Sequence, residues 1–202
     1  MYNSIKHAAG LKRASELKTR IQEYLDIEKT IETGFRMKER NRINKERILE
    51  YFQAKESDWN RWSWQMKHRI SDVETLKDLL PLSNREIEEI RQISQEFRWA
   101  ISPYYLSLID PENYRNSAIF KQAVPDIKEL QDHSGHEDPM AEADTSPAPT
   151  ITRRYPDRLI INVTNQCGMY CRHCQRRRNF EQKDTHASMA NLVLALDYVR
   201  SN

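Results

Sequence analysis

Glycine is scarce in this sequence, with 4 residues in 202, well below the ~7% that is usual in proteins. Because tight turns and hairpins draw on glycine, this scarcity disfavours a fold of many short strands and favours helices. The sequence also lacks any apolar run near the ~20 residues that a membrane-spanning helix needs. Its first residues contain no apolar segment of the secretory type. We therefore expect neither a membrane protein nor a secreted one.

Charge and cysteine content indicate which partners and which cellular compartment to expect. There are 32 Lys and Arg residues against 30 Asp and Glu, a net charge of +2, which does not by itself indicate nucleic acid as a partner. The three cysteines are an odd number, which argues against a disulfide framework and for a reducing compartment. We therefore expect a cytoplasmic protein.

Helical periodicity dominates the first 130 residues. Apolar residues recur at three- and four-residue steps over 11–27 and again over 37–53. Ser83 and Glu86 have the spacing of a capping box, which predicts the start of a helix that continues to about Trp99.

The composition then changes twice. Residues 131–150 are rich in Asp, Glu, Ser, Ala, Gly and Pro without periodicity, which is typical of a linker or a long ordered excursion. The β-branched run at 159–163 predicts a strand buried on both faces of a parallel sheet, and Ser188 is a candidate cap for a last helix. We therefore predict a helical N-terminal domain over 1–130, the linker, and the start of an α/β domain over 151–202.

All three cysteines lie in one segment, residues 167–174, here called the cysteine loop. Cys167, Cys171 and Cys174 have the spacing Cys-x3-Cys-x2-Cys and directly follow the predicted strand, where ligands bind in α/β folds. Three thiolates at this spacing can bind three irons of a 4Fe–4S cluster and leave the fourth open. A zinc site completed by His173 competes with this interpretation, although His173 lies between two close cysteines. Three unliganded thiols are the remaining alternative.

The loop and the sequence around it resemble the radical S-adenosylmethionine (SAM) enzymes and, within them, the amino-acid 2,3-aminomutases. The runs that carry the narrower resemblance are RRYPDR at 153–158, CRHC at 171–174, WSWQ at 62–65, ISPYY at 101–105 and DPM at 138–140. NVTNQC at 162–167 and Gln175 look more like glutamate 2,3-aminomutase than the lysine enzyme.

The resemblance implies an isomerase that moves an amino group from C2 to C3 of an amino acid. It implies conversion of L-glutamate to β-glutamate, or otherwise of lysine to β-lysine. The implied cofactors are a 4Fe–4S cluster, S-adenosyl-L-methionine and pyridoxal 5′-phosphate (PLP), with a reductant for the cluster. The complete enzyme would be a homo-oligomer that binds neither nucleic acid nor membrane.

The resemblance also implies roles for individual residues. The matching positions are Cys167, Cys171 and Cys174 for the cluster, His173 for the SAM adenine, Arg154 and Arg158 for the PLP phosphate, and Arg176 for the substrate carboxylate. Guanidinium groups suit the last two roles because they bind phosphate and carboxylate with paired hydrogen bonds. Without the resemblance, 176–178 would be interpreted as a solvated basic run or a generic anion site.

Several features of the family have no counterpart here. Its PLP lysine, its glycine-rich SAM-binding strand end and the residues that read the substrate side chain lie further downstream, and the glycine after the three arginines is missing. The predicted fold is a mostly α-helical N-terminal region plus the first β-loop-α unit of an α/β radical SAM partial TIM barrel, with the rest of the barrel missing. We therefore expect a truncated fragment that holds no catalytic residue and is inactive alone.

Two functions of other classes stay open. One is a non-catalytic helical binding module with a Cys/His zinc site. The other is nucleic-acid binding through the tryptophan- and arginine-containing stretch at 58–69 and the basic run at 176–178, because aromatic and arginine side chains can stack on bases.

Overall fold

Helices make up most of the secondary structure in this computed structural model, which describes residues 4–136 and 138–202. The expectation of a mostly helical chain is therefore confirmed. The chain divides into two units, Met1–Glu39 and Arg40–Asn202.

The first unit carries helix α1 (Ser4–Arg20) and helix α2 (Gln22–Glu28). The sequence predicts one helix over 11–27, but the helix is interrupted at Ile21, whose ψ of 13° lies outside the helical region. Large apolar side chains of this unit are exposed, and Phe35 is 96% accessible.

Helix α3 (Lys38–Tyr51) crosses the division, and the second unit contains the other elements. They are α4 (Glu56–Trp59), α5 (Trp62–Lys67), α6 (Val73–Leu79), α7 (Asn84–Ile93), α8 (Pro103–Ser107), α9 (Ala118–Ala123), β1 (Ile151–Thr152), β2 (Ile160–Ile161) and α10 (Met189–Ser201), with 3₁₀ turns at Tyr114–Asn116, Ile127–Leu130 and Arg177–Asn179. Five of these helices begin at a side chain that accepts a hydrogen bond from the first turn, and the capping residues are Asp72, Ser83, Ser102, Ser117 and Ser188. The predicted caps at Ser83 and Ser188 are therefore confirmed.

Helix α7 ends earlier than predicted, at Ile93 rather than near Trp99. The Ser94 hydroxyl accepts a hydrogen bond from the Trp99 indole at 2.8 Å and closes a turn after the helix. Ile101 then pairs through its main chain with Ile70, with N–O distances of 2.8 and 2.9 Å. The helix stops because this segment has to be extended to make that pair.

The second unit is organised around one hydrophobic core. Its large buried members include Ile48, Leu76, Leu79, Trp99, Leu106, Ile109 and Tyr114. Met169 of the cysteine loop is buried in the same core, and Cys171 packs against it. Burying a large apolar side chain contributes about 1.5–3 kcal/mol, so the loop is anchored by the same force as the helices.

The predicted strand at 159–163 is shorter and less buried than expected. Within 159–163 only Ile160–Ile161 forms a strand, β2. It pairs antiparallel with β1, and Ile151 lies opposite Ile161. Ile160 remains 40% exposed. The expectation of a strand covered on both faces in a parallel sheet is wrong here, because β1 and β2 are the only strands of a sheet among the described residues and offer no second neighbour.

Residues 131–150 contain neither helix nor strand at the positions that the structure describes. The predicted domain limits at 1–130, 131–150 and 151–202 stay a prediction. By their spatial contacts, residues 40–202 group as one unit. In the described part of the chain, no helix has both the length and the apolar character needed to cross a membrane.

The start of α7 contains a strongly bonded carboxylate. Glu86 accepts hydrogen bonds from the Arg115 guanidinium at 2.7 Å, from the Ser83 amide at 2.8 Å and from the Tyr114 hydroxyl at 2.8 Å. Partial burial alone would raise the pKa of Glu86, but these bonds outweigh it and lower the pKa from 4.5 to about 2.

Glu86→Gln is expected to lower the free energy of unfolding at pH 7 by about 1–3 kcal/mol, because charged hydrogen bonds are lost. Since the folded-state pKa lies below the unfolded one, this deficit should shrink as the pH falls from about 4.5 towards about 2. Urea denaturation across this range measures it. Glu88→Gln, at a side chain that is 72% exposed, is the matched control and should change stability by less than ~0.5 kcal/mol. A deficit independent of pH would contradict the assignment.

Candidate functional site

The cysteine loop lies against the extended segment that follows α7. Ile101 forms one antiparallel bridge with Ile70 and another with Met169, so the loop continues the pairing on the far side of Ile101. The Tyr170 amide donates to the Ala100 carbonyl at 3.1 Å. The first half of the loop is therefore fixed through its main chain.

Asp184 contacts four side chains near the first half of the loop. Its carboxylate forms ion pairs with Arg69 and Arg98, and accepts hydrogen bonds from the Tyr170 hydroxyl at 2.7 Å and from the side-chain amide of Gln166 at 2.8 Å. Partial burial would raise the pKa of Asp184, but these bonds outweigh it and hold the pKa well below its usual range. The carboxylate is thus ionised at neutral pH.

Arg69 connects this carboxylate to the first cysteine. Its Nη1 atom donates to the Cys167 carbonyl at 2.8 Å and to the Tyr170 hydroxyl at 3.2 Å. Arg98 lies over the ring of Tyr170 at 4.3 Å from the centroid, and Tyr170 is completely buried.

Glu129 binds arginines at the second half of the loop and just after it. It accepts a bidentate pair from Arg172, with distances of 2.9 Å to Nε and 2.6 Å to Nη2, and also accepts from Arg177 at 3.2 Å. The Arg172 amide donates to the Gln122 carbonyl at 2.7 Å. Partial burial would raise the pKa of Glu129, but the Arg172 guanidinium outweighs it and lowers the pKa.

The three thiols are free, with Cys167 exposed and Cys171 and Cys174 half-buried. Burial and the neighbouring Cys167 and Cys174 thiols raise the pKa of the Cys171 thiol. Among residues 4–136 and 138–202, no three His, Cys, Asp or Glu side chains are close enough together to hold a metal ion. His173 is exposed. The cluster ligands and the role of His173 stay predictions.

Arg154, Arg158 and Arg176 line one cavity of about 220 Å³, here called the arginine cavity. The resemblance implies phosphate and carboxylate roles for these three residues, and the structure brings them together. Arg158 stacks on the ring of Tyr155 at 4.1 Å. Glu142 also lines this cavity.

Glu142 was missed by the sequence analysis. Its side chain is fully buried, and Oε1 accepts from Arg176 Nη2 at 3.2 Å. The Glu142 amide donates to the Asp138 carboxylate at 3.0 Å, which fixes the turn that brings Glu142 to the cavity. The only sequence signal is the acidic character of 131–150, which holds five Asp and Glu residues, and nothing local indicates which of them is buried or what it pairs with.

The basic run at 176–178 is not solvated. All three arginines are half-buried, and each has an acidic partner from 129–142. Arg176 pairs with Glu142, Arg177 with Glu129 at 3.2 Å, and Arg178 approaches Asp138 at 3.4 Å. The run therefore connects the predicted linker to the end of the cysteine loop.

Comparison with known proteins identifies relatives of this chain. No protein-family model matches it. The chain is 50% identical over 193 residues to glutamate 2,3-aminomutase of Clostridioides difficile (strain 630), which covers 96% of this chain and 46% of that protein. It is 46% identical over 147 residues to L-lysine 2,3-aminomutase of Clostridium subterminale, 72% of this chain and 35% of that protein.

The similarity extends to more distant lysine enzymes. L-lysine 2,3-aminomutase of Bacillus subtilis (strain 168) is 40% identical over 146 residues, 72% of this chain and 31% of that protein. The chain spans less than half the length of these curated relatives. It is therefore a homologue, and a partial match, of the amino-acid 2,3-aminomutases, an isomerase family that includes the glutamate and the lysine enzymes.

Proposed function

We propose that this chain supplies the cysteine loop and the arginine cavity of a radical SAM amino-acid 2,3-aminomutase that acts on L-glutamate, or otherwise on lysine. The observation that carries the proposal is that Arg154, Arg158 and Arg176 line one cavity in the same unit as the three free thiols. The 50% identity to a protein named glutamate 2,3-aminomutase supports glutamate as the substrate. The activity is proposed for the whole protein.

By the chemistry of its donors, the cysteine loop fits a 4Fe–4S cluster, although the three thiols would have to move closer together to bind it. All three thiols are free, and thiolates are the usual ligands of such clusters. Three ligands on one loop leave one iron open for the amino and carboxylate groups of SAM, and His173, next to Cys174, would lie beside the adenine. When bound, the reduced cluster with SAM supplies the radical that starts the reaction, and PLP supplies the ring that stabilises the migrating nitrogen.

The arginine cavity fits an anion. Its volume of about 220 Å³ is below the ~300–1,000 Å³ of typical ligand pockets, so it suits the phosphate end of PLP rather than the whole cofactor. Arg154 and Arg158 would hold the phosphate, because guanidinium forks bind phosphate oxygens in pairs. Arg176, held by Glu142, would orient the substrate carboxylate at the same wall.

Anaerobic reconstitution of the chain with iron and sulfide is expected to give about four irons per chain with matching sulfide. Cys167→Ser, Cys171→Ser and Cys174→Ser should each reduce the bound iron to background, because each removes one ligand. His173→Gln, within the same loop, should keep its iron. One zinc per chain without sulfide, lost on His173→Gln, would refute the cluster and support the zinc site.

The phosphate role can be tested with pyridoxine 5′-phosphate and pyridoxine, which have no aldehyde to react with surface lysines. Calorimetry should show binding of the phosphate ester and much weaker binding of pyridoxine. Arg154→Met and Arg158→Met should each weaken the ester about tenfold or more, since a hydrogen bond to a charged group contributes ~1.5–3 kcal/mol. Arg200→Met, at a side chain that is 78% exposed, is the control. Equal affinity for both ligands would reject the assignment.

A further inference from the structure

We propose that Asp184 and Glu129 are positioning residues for the cysteine loop, each carboxylate orienting an arginine that holds one end of the loop. Asp184 acts at Cys167, and Glu129 acts between Cys171 and Cys174. The inference rests on the proposed cluster-binding function and adds two residues that carry no ligand atom for the cluster.

At the first end, Asp184 fixes Arg69. The side chain of Arg69 is 11% exposed, and its guanidinium donates to the Cys167 carbonyl at 2.8 Å while it pairs with Asp184. Its Nε atom donates to the Met66 carbonyl at 3.0 Å, at the end of α5. When the Asp184 charge is removed, the partly buried Arg69 guanidinium loses its ion pair and turns towards solvent. The Cys167 carbonyl then loses the hydrogen bond from Arg69 that connects it to the helical region.

At the second end, Glu129 fixes Arg172. The Arg172 side chain is 8% exposed and lies between two cysteines in sequence. Glu129 is itself held, because its Oε1 atom accepts from the Asp126 amide at 3.2 Å in a capping box. Arg177, which also pairs with Glu129, donates to the Arg172 carbonyl at 3.1 Å. One carboxylate therefore restrains both the side chain and the main chain of Arg172.

The two ends have separate ion pairs. Those of Asp184 involve Arg69 and Arg98, and those of Glu129 involve Arg172 and Arg177. One contact links them, because Arg172 Nη1 donates to the main-chain carbonyl of Arg98 at 3.1 Å. Since that link does not use the Arg98 side chain, neutralising one carboxylate should still loosen one end of the loop and leave the other in place.

Positioning matters because three thiolates have to meet one metal cluster. Ordering a residue of flexible backbone costs about 1–2 kcal/mol, and a loop that is already ordered avoids much of that cost when the metal binds. Two carboxylates that hold the main chain of the loop thus lower the ordering cost of cluster binding without contacting the cluster, and the cysteine side chains then have to come together on it.

Residue-resolved hydrogen exchange of the metal-free 202-residue chain tests the inference. The Tyr170 amide bonds to Ala100, and the Arg172 amide bonds to Gln122, so each reports on one end. Asp184→Asn should speed exchange at Tyr170 about tenfold and leave Arg172 close to wild type. Glu129→Gln should do the reverse. A tenfold change in exchange rate corresponds to the loss of about one charged hydrogen bond.

The matched control is Asp197→Asn, at an exposed carboxylate of α10 that pairs with Arg200. It should change neither amide. The amide of Leu76, in the core, reports global unfolding. If Tyr170, Arg172 and Leu76 accelerate together in either variant, or if neither loop amide is protected in the wild-type chain, the positioning role is wrong.

Bound iron separates this inference from the proposed function. At limiting iron, Asp184→Asn and Glu129→Gln should each retain severalfold less iron than wild type and Asp197→Asn. If wild type binds no cluster but the two amides respond separately, the proposed function fails and the loop restraint stands. If wild type and both variants retain iron equally, the positioning role is refuted while the cluster remains.

Discussion

The site depends on the main-chain pairing of Ile101. This residue is completely buried and pairs with Ile70 on one side and Met169 on the other, so helical segments and the cysteine loop share one short hydrogen-bonded strip. Buried amide and carbonyl groups need partners, which makes this pairing obligatory once Ile101 enters the core. It also explains why α7 ends at Ile93, since the chain has to turn and then become extended before it reaches Ile101.

Carboxylates control the arginines around the site. Asp184, Glu129 and Glu142 each accept from arginines that lie near the loop or the cavity. Buried or half-buried charges are tolerated when they are paired and hydrogen-bonded, and an arginine held in this way keeps a defined orientation. The result is a group of cations with fixed geometry, even though the chain as a whole has a net charge of only +2.

Local signals were sufficient for some features and not for others. The capping box at Ser83 and Glu86 marks the start of α7 because both partners lie within one turn. The end of α7, the short antiparallel β2 and the pairing of Arg176 with Glu142 depend on segments far away in the sequence. Likewise the spacing of the three cysteines is a local pattern. In contrast, no sequence pattern pairs Asp184 with Arg69 or Glu129 with Arg172.

The charge balance of the arginine cavity bears on what it can bind. Three guanidinium groups and one carboxylate line it, so it stays cationic even after Glu142 pairs with Arg176. Because Glu142 is fully buried and uses one oxygen for Arg176, it orients that arginine without neutralising Arg154 or Arg158. Arg154 and Arg158, the latter also paired with the exposed Asp157 at 3.5 Å, remain for an anion of about the size of a phosphate.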